Sequence, residues 1–151
     1  MGEKGQWRKY TLWEDATHVP LLVVAPGVTT PGSRSSEPVS TLDIYPTLAD
    51  LAGLSQPGHL EGHSLRPLLE DPTAEWHHQA VTTYRFGNHS VRTRHYRYIR
   101  YSDGGEEIYD HREDPHEWRN LAPLPGYEDM TRRLRALLLT VNAEPIEAIW
   151  R

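Results

Sequence analysis

The run Val19-Pro20-Leu21-Leu22-Val23-Val24-Ala25-Pro26-Gly27 constrains the fold most, because its apolar residues are continuous rather than alternating. β-branched residues inside and Pro-Gly punctuation at the end predict a strand buried on both faces, of the kind found in a helix-covered sheet. The rest of the 151 residues offers too few helices to cover both faces of such a sheet. The neighbouring strands are therefore expected from elsewhere, and the run itself is expected to leave an apolar edge that favours association.

Around that run the chain divides by composition. Thr29 to Pro38 is rich in Thr, Ser, Gly and Pro and reads as a loop. From Ser40 to Gly53 a helix is expected, with Ser40 and Asp43 at capping-box spacing, Pro46 in the first turn, Leu48, Leu51 and Ala52 on one face, and Gly53 at the C-terminal cap. Ser64 to Leu69 reads as a short packed turn. Beyond it, Ala80–Tyr84, Ser90–Thr93, Tyr96–Tyr101 and Glu107–Tyr109 alternate like antiparallel strands, with Ser102-Asp103-Gly104-Gly105 as the hairpin turn between the last two. Asp114-Pro115-His116-Glu117 has the pattern of a helical turn capped by Asp114 and Glu117. Asp129 to Val141 carries an apolar stripe, Met130, Leu134, Leu137, Leu138 and Val141, that predicts a final helix packed on the small sheet.

Charge and composition exclude several classes of partner. A formal net charge of −5, with Lys and Arg scattered among acids, argues against nucleic acid. Five Trp and eight Tyr supply rings for a core and a pocket, which argues against disorder. There is no cysteine, hence no disulfide or thiolate metal site, and the compartment stays open. No run approaches the ~18 apolar residues of a membrane helix. The abrupt polar opening at Met1-Gly2-Glu3-Lys4 leads to the expectation that a natural N-terminal part is missing.

The stretch Gly2-Glu3-Lys4-Gly5-Gln6-Trp7-Arg8-Lys9-Tyr10-Thr11-Leu12-Trp13-Glu14-Asp15-Ala16-Thr17-His18-Val19-Pro20-Leu21 resembles the second signature region of type I sulfatases, most closely that of iduronate-sulfatase-like enzymes. Further segments follow in the family's order: Pro26-Gly27, Asp43-Ile44-Tyr45-Pro46-Thr47-Leu48, Gly62-His63-Ser64-Leu65-Arg66-Pro67-Leu68-Leu69, Val91 to Ile99, and Ile108-Tyr109-Asp110 through Asp114-Pro115-His116-Glu117 to Asn120-Leu121-Ala122. The resemblance covers nearly the whole chain and weakens after about Tyr127.

It implies an α/β alkaline-phosphatase-like fold, represented by a late strand and helix of the large sheet plus a small antiparallel sheet with a C-terminal helix. Residues 1–78 would belong to the catalytic α/β domain and 79–151 to a small α+β subdomain. It also implies hydrolysis of sulfate monoesters, with a sulfated small molecule or carbohydrate as the substrate, and a periplasmic or extracellular location. Lys9 matches the signature lysine whose ammonium contacts the sulfate oxygens. His18, just before the apolar run, is a candidate for the substrate pocket, with a hydrogen-bonded structural histidine as its other reading.

The family's reaction resembles metal-assisted nucleophilic catalysis by a hydrated formylglycine made from Cys or Ser in Cys/Ser-x-Pro-x-Arg. An approach to it here, Ser36-Glu37-Pro38-Val39-Ser40, has Ser where Arg is required and reads as loop. Calcium is implied for the complete enzyme, with ligands that fall before this chain begins, so no metal ligand is assigned and the isolated chain is expected to be inactive. His77-His78, and Asp110-His111 with Asp114, His116 and Glu117, contain competent ligand types but read as structural, as do Trp7 and Trp13. Two alternatives stay open: a phosphonate or phosphodiester hydrolase of the same superfamily, since charge does not distinguish sulfate from phosphate at Lys9, and a non-catalytic module, whether a truncated product, a degenerate relative or a subunit completing another chain, with the missing N-terminal part or a second copy as its partner.

Overall fold

The computed structural model describes residues 3–7 and 9–142. They fall into two compact units, Met1–Val19 with Val81–Arg151, and Pro20–Ala80. Among the described residues no helix is long and apolar enough to cross a membrane.

In the first unit, four short strands form one sheet in the order β1 (Ala80–Thr83), β2 (His89–Arg92), β3 (Tyr96–Arg100) and β4 (Glu106–Asp110). β2 and β3 are antiparallel, as are β3 and β4, in a register that places Val91, Tyr98 and Ile108 in line. Period-two alternation then makes two different faces. One face packs Val91, Tyr98 and Ile108 on Leu121, Leu134 and Leu138. The other packs Ile99 and Tyr109 on Leu12. The β3–β4 turn closes as its Gly-Gly pair requires, with Gly104 at φ 90°.

β4 lies at the end of this sheet, and Asn120 covers part of its edge. Its Oδ1 accepts from the Ile108 N–H (3.0 Å), its Nδ2 donates to the Glu106 carbonyl (3.0 Å), and the Leu121 N–H continues the pattern on Ile108 O (2.9 Å). Backbone groups left over by β4 are thereby satisfied in place, which blunts the edge.

The last helix of the unit, α4 (Glu128–Arg135), is shorter than its apolar stripe predicts. Met130, Leu134 and Leu138 pack on the sheet, whereas Val141 is exposed and Leu137 borders on it. The chain leaves α-geometry after Arg135 in a tighter last turn, with Leu138 N–H bonding Arg135 O (3.1 Å), so the later stripe residues lose the helical phase. Asp114 and Glu117 also depart from expectation. Asp114 Oδ2 accepts from the Arg119 N–H (2.7 Å), and Glu117 has φ 59° and a buried side chain, so the segment is a turn and Glu117 does not cap it.

In the second unit, helix α2 (Ile44–Leu51) follows a 3-10 turn, Thr41–Asp43, that starts with the expected capping box. Asp43 Oδ2 accepts from the Ser40 N–H (2.7 Å) and Ser40 Oγ from the Leu42 N–H (3.2 Å). Gly53 at φ 67° ends the helix in a Schellman pattern, with Leu54 N–H on Ala49 O (2.8 Å) and Gly53 N–H on Asp50 O (3.0 Å). The expected inner face is corrected: Pro46, Thr47 and Ala49 are buried, and Leu48 is exposed.

Hydrogen bonding selects that face. Asp43, Thr47 and Asp50 recur at helical spacing and meet residues 63–66 next to helix α3 (Arg66–Glu70). Asp43 Oδ1 accepts from His63 N–H (2.9 Å), Thr47 Oγ1 from Leu65 N–H (2.8 Å), and Asp50 Oδ2 from Ser64 Oγ–H (2.5 Å). The run from Val19 to Ala25 forms no strand, contrary to expectation, and Leu22 and Val24 are 85% and 88% exposed. An extended segment becomes a strand by pairing, and none of the four described strands pairs with it.

Candidate functional site

The segment from Lys9 to His18 is fixed to the sheet by Leu12, Trp13, Glu14 and Thr17, of which sequence reasoning singled out only Trp13, as a structural ring. Leu12 is its apolar anchor, packed on Ile99 and Tyr109. Trp13 sits half-buried, its indole N–H donating to Glu107 Oε2 at 2.7 Å, and the same oxygen accepts the Tyr109 hydroxyl at 2.8 Å. The Lys4 ammonium lies over both rings, 4.4 Å from the Trp13 centroid and 4.2 Å from that of Tyr109, and donates to the Tyr109 oxygen at 3.0 Å. Burial and the Glu107 carboxylate push the Tyr109 phenol well up, so it stays a donor.

Beside this cluster, Arg97 uses every donor it has. Its Nε donates to Glu117 Oε1 (2.6 Å), Nη1 to Leu12 O (3.0 Å) and Ser90 Oγ (3.2 Å), and Nη2 to Thr17 Oγ1 (2.9 Å) and to Glu14 Oε2. Glu117 Oε2 accepts the Glu14 backbone N–H (2.8 Å) at the start of the short helix α1 (Glu14–Thr17). Arg92 adds a second guanidinium, with Nε on Glu14 Oε2 (3.2 Å) and Nη2 on His111 Nδ1 (3.0 Å). Because arginine only donates, His111 Nδ1 accepts and His111 Nε2–H donates to Glu117 Oε1 (2.9 Å). Burial pushes the Glu14 carboxyl up, but the charge and hydrogen bond of Arg97, with the charge of Arg92 adding to them, hold it below its ordinary range.

Glu14, His111 and Glu117 bring ligand atoms within 4.8 Å of one another, which is metal-site spacing. The donor set does not fit calcium. That ion takes 6–8 oxygens, whereas here both carboxylates already bind guanidinium groups and the third group is an imidazole. The other cluster members are dispersed: Asp110 pairs with Arg112 (2.6 Å), and His116 stacks on Trp118 (4.9 Å). His78 stacks on His63 with ring centroids 3.6 Å apart, while His77 faces Glu75. Near-parallel imidazoles point their in-plane nitrogens side by side rather than at one ion.

Lys9 itself is exposed on this fixed segment. His18 closes α1, with an exposed side chain whose Nδ1 is 3.5 Å from Glu14 Oε1. Among the described residues no hydrogen bond, ion pair or ring contact joins the two. Trp7 is exposed, against its expected core role. An arrangement that anchors Leu12, Trp13, Glu14 and Thr17 and leaves Lys9 exposed can present an ammonium to an anion.

A phosphonate monoester hydrolase from Silicibacter pomeroyi superposes with a TM-score of 0.74 at 25% identity, over 89% of this chain and 31% of that one. The architecture is therefore that of an alkaline-phosphatase-like hydrolase, of which the small antiparallel sheet and its helix form the C-terminal portion. A "Sulfatase" of Formosa agariphila is 41% identical over 143 residues, covering 95% of this chain and 28% of that protein. A "Delta 4,5-hexuronate-2-O-sulfatase" of Bacteroides thetaiotaomicron is 36% identical over 146 residues, covering 85% and 29%. The family model for "N-sulphoglucosamine sulphohydrolase, C-terminal" matches residues 2–144, and the chain belongs to the type I sulfatase family. It spans less than a third of the length of these curated relatives.

Proposed function

We propose that this chain is the C-terminal module of a sulfatase that hydrolyses a sulfate monoester on a sugar, of the uronate type acted on by iduronate-sulfatase-like enzymes. Lys9 is the residue that meets the sulfate. The observation that carries the reading is the contrast between Lys9 and its neighbours: Leu12, Trp13, Glu14 and Thr17 are each bonded to or packed on the sheet, and Lys9 is exposed. Such fixing sets a charged donor in place before the substrate arrives, the condition under which it stabilises developing charge. The hexuronate sulfatase among the relatives supports the sugar class.

Calcium and the formylglycine, in this reading, are held by residues outside this chain, since Glu14, His111 and Glu117 do not fit the ion and no Cys/Ser-x-Pro-x-Arg motif occurs. The chain alone is then inactive, because nucleophile and metal ligands act as a unit that one lysine does not replace. The test is sulfate release from an aryl sulfate and from a 2-O-sulfated hexuronate disaccharide, with calcium. Two samples are compared, the chain alone and the chain joined to a segment bearing Cys-x-Pro-x-Arg and the metal acids. Turnover by the joined protein alone supports the proposal, and turnover by the chain alone that a mutation within it abolishes overturns the inactivity. The likeness to a phosphonate monoester hydrolase gives a second reading, which preference of the joined protein for a phosphonate ester would select.

A further inference from the structure

Ahead of Lys9 the chain is held at a second place, by the ammonium of Lys4. Glu3–Gly5 form a 3-10 turn in which Lys4 has φ 51° and Gly5 φ 72°, so two successive residues are left-handed. Gly5 takes that conformation freely, whereas Lys4 carries a Cβ and takes it only where other contacts hold it there. Those contacts are long-range. The ammonium lies over the rings of Trp13 and Tyr109 and donates at 3.0 Å to the Tyr109 oxygen, 105 residues away in sequence. Glu107 completes the cluster, since its Oε2 accepts from both Trp13 and Tyr109 and places a negative charge beside the two ring donors. The field of Lys4 also reaches the turn after β4. Burial pushes the Asp114 carboxyl up, but the backbone N–H groups of Arg119 and Trp118 hold it low, and the charge of Lys4 adds to them.

We infer that Lys4 is a positioning residue for Lys9: its ammonium pins the chain on Trp13 and Tyr109 ahead of Lys9, as Leu12 and Trp13 pin it behind. The inference rests on the reading of Lys9 as the residue that meets the sulfate. Without the Lys4 contact, fixing to the sheet starts at Leu12, and each residue between Lys9 and Leu12 adds two soft dihedrals through which the Lys9 ammonium can swing. Trp13 serves both pins. Its indole N–H holds Glu107 while its ring face takes Lys4, so the segment that carries Lys9 closes on itself. A segment held at both ends has lost that freedom before substrate arrives, which is what orienting a donor requires. The charge of Lys4 is directed at two rings and a phenol, so Lys4 acts through Lys9 and not on the sulfate.

On the chain itself, NMR should show the Lys4 ε-methylene protons shifted upfield by the two rings. In Lys4→Met, order parameters at Lys9 and Tyr10 should fall from about 0.85 toward about 0.6 while Leu12 and Trp13 keep theirs. In the joined protein, Lys4→Met should lower kcat for sulfate-ester hydrolysis about tenfold with a smaller change in KM, as for a donor moved off its transition-state position. Lys4→Arg should restore most of it, because a guanidinium also stacks on aromatic faces. Lys4→Gly separates the ammonium from the turn: glycine adopts the left-handed turn without a pin, so it should lose turnover as Lys4→Met does. The midpoint of thermal unfolding should stay with the parent in all three, since Lys4 is exposed. Parental kcat in Lys4→Met or Lys4→Gly, unshifted ε-methylene protons, or a loss of turnover that tracks a lowered unfolding midpoint overturns the inference. Absence of turnover in the joined parent sinks the sulfatase reading, and the Lys9 order parameters of the chain then decide alone whether Lys4 holds the segment.

Discussion

Arg97 and Glu117 form an ion pair with Nε and Oε1 2.6 Å apart, at side-chain exposures of 2% and 1%. Every remaining donor of the guanidinium is also spent, on Leu12, Ser90, Glu14 and Thr17. Such a pair contributes little when compared with a well-packed apolar replacement, but removing one partner leaves a buried charge without compensation. Its consequence for function is positional, because it joins residues 12–17 to strands β2 and β3.

Arg97→Met is therefore expected to destabilise the sheet unit by about 3–5 kcal/mol. Amide exchange in β3 and β4 measures it locally, and Arg97→Met with Glu117→Leu should be less damaging than the two single losses added together. A cost for Arg97→Met within about 0.5 kcal/mol of zero, the range of ordinary surface substitutions, would mean that the pair is not intact in solution.

Acid should release the same segment. The Glu14 carboxyl is held below its ordinary value of 4.5, so the charged form stabilises the fold above that pH, and the contribution is lost as pH falls through the lowered folded-state value. Glu14→Gln should be less stable than the parent at neutral pH, and the two unfolding curves should converge below about pH 4.5 as acid protonates the parent. Curves that stay parallel from pH 7 to pH 3 would remove Glu14 from the acid response.

How far the fold was legible follows from the range of the contacts involved. The four strands and the β3–β4 turn were readable because alternation and a Gly-Gly pair are local signals. Ser40, Asp43 and Gly53 were readable because caps act within one turn. The Val19–Ala25 run was legible as short of neighbours, and Leu22 and Val24 are exposed, but it was misread as a strand, since an apolar run with nothing to pair with does not form one. Arg97 and Glu117, 20 residues apart, gave one usable signal. Arg97 shares the inward phase of Ile99 in β3, and a charge in that phase requires a buried partner. Nothing local identified that partner, and Glu117 at capping distance from Asp114 pointed to a different role. Lys9 was assigned by resemblance alone.

Gly62 shows how a motif residue acquires a physical reason from the fold. A Cβ there would stand 2.1 Å from the Leu42 carbonyl oxygen and 2.4 Å from its carbon, both backbone atoms that cannot swing away. Gly62→Ala should therefore push residues 62–65 off α2 and cost about 1–3 kcal/mol, seen as faster exchange of the Leu65 N–H bonded to Thr47. Gly58→Ala, with nothing within 4 Å, is the control and should change little. Equal behaviour of the two variants would contradict the close approach.

Lys9→Ala should leave the fold intact, because the residue is exposed and the segment is held at Leu12, Trp13, Glu14 and Thr17. In a joined protein that also carries the nucleophile and metal ligands, the same change should lower sulfate-ester turnover by about 100-fold or more, the scale of losing one preorganised donor to transition-state charge. The loss should fall on kcat at least as much as on KM, since a contact that strengthens with developing charge is worth more in the transition state than in the bound substrate. Lys9→Arg should recover part of the activity, because a planar fork carries the charge but does not reproduce a compact ammonium. Arg97→Met offers the internal comparison: it loosens the anchored segment without touching the ammonium, so it should lower turnover together with exchange protection in β3. Near-normal turnover by Lys9→Ala would withdraw Lys9 from the site while leaving the family relationship standing.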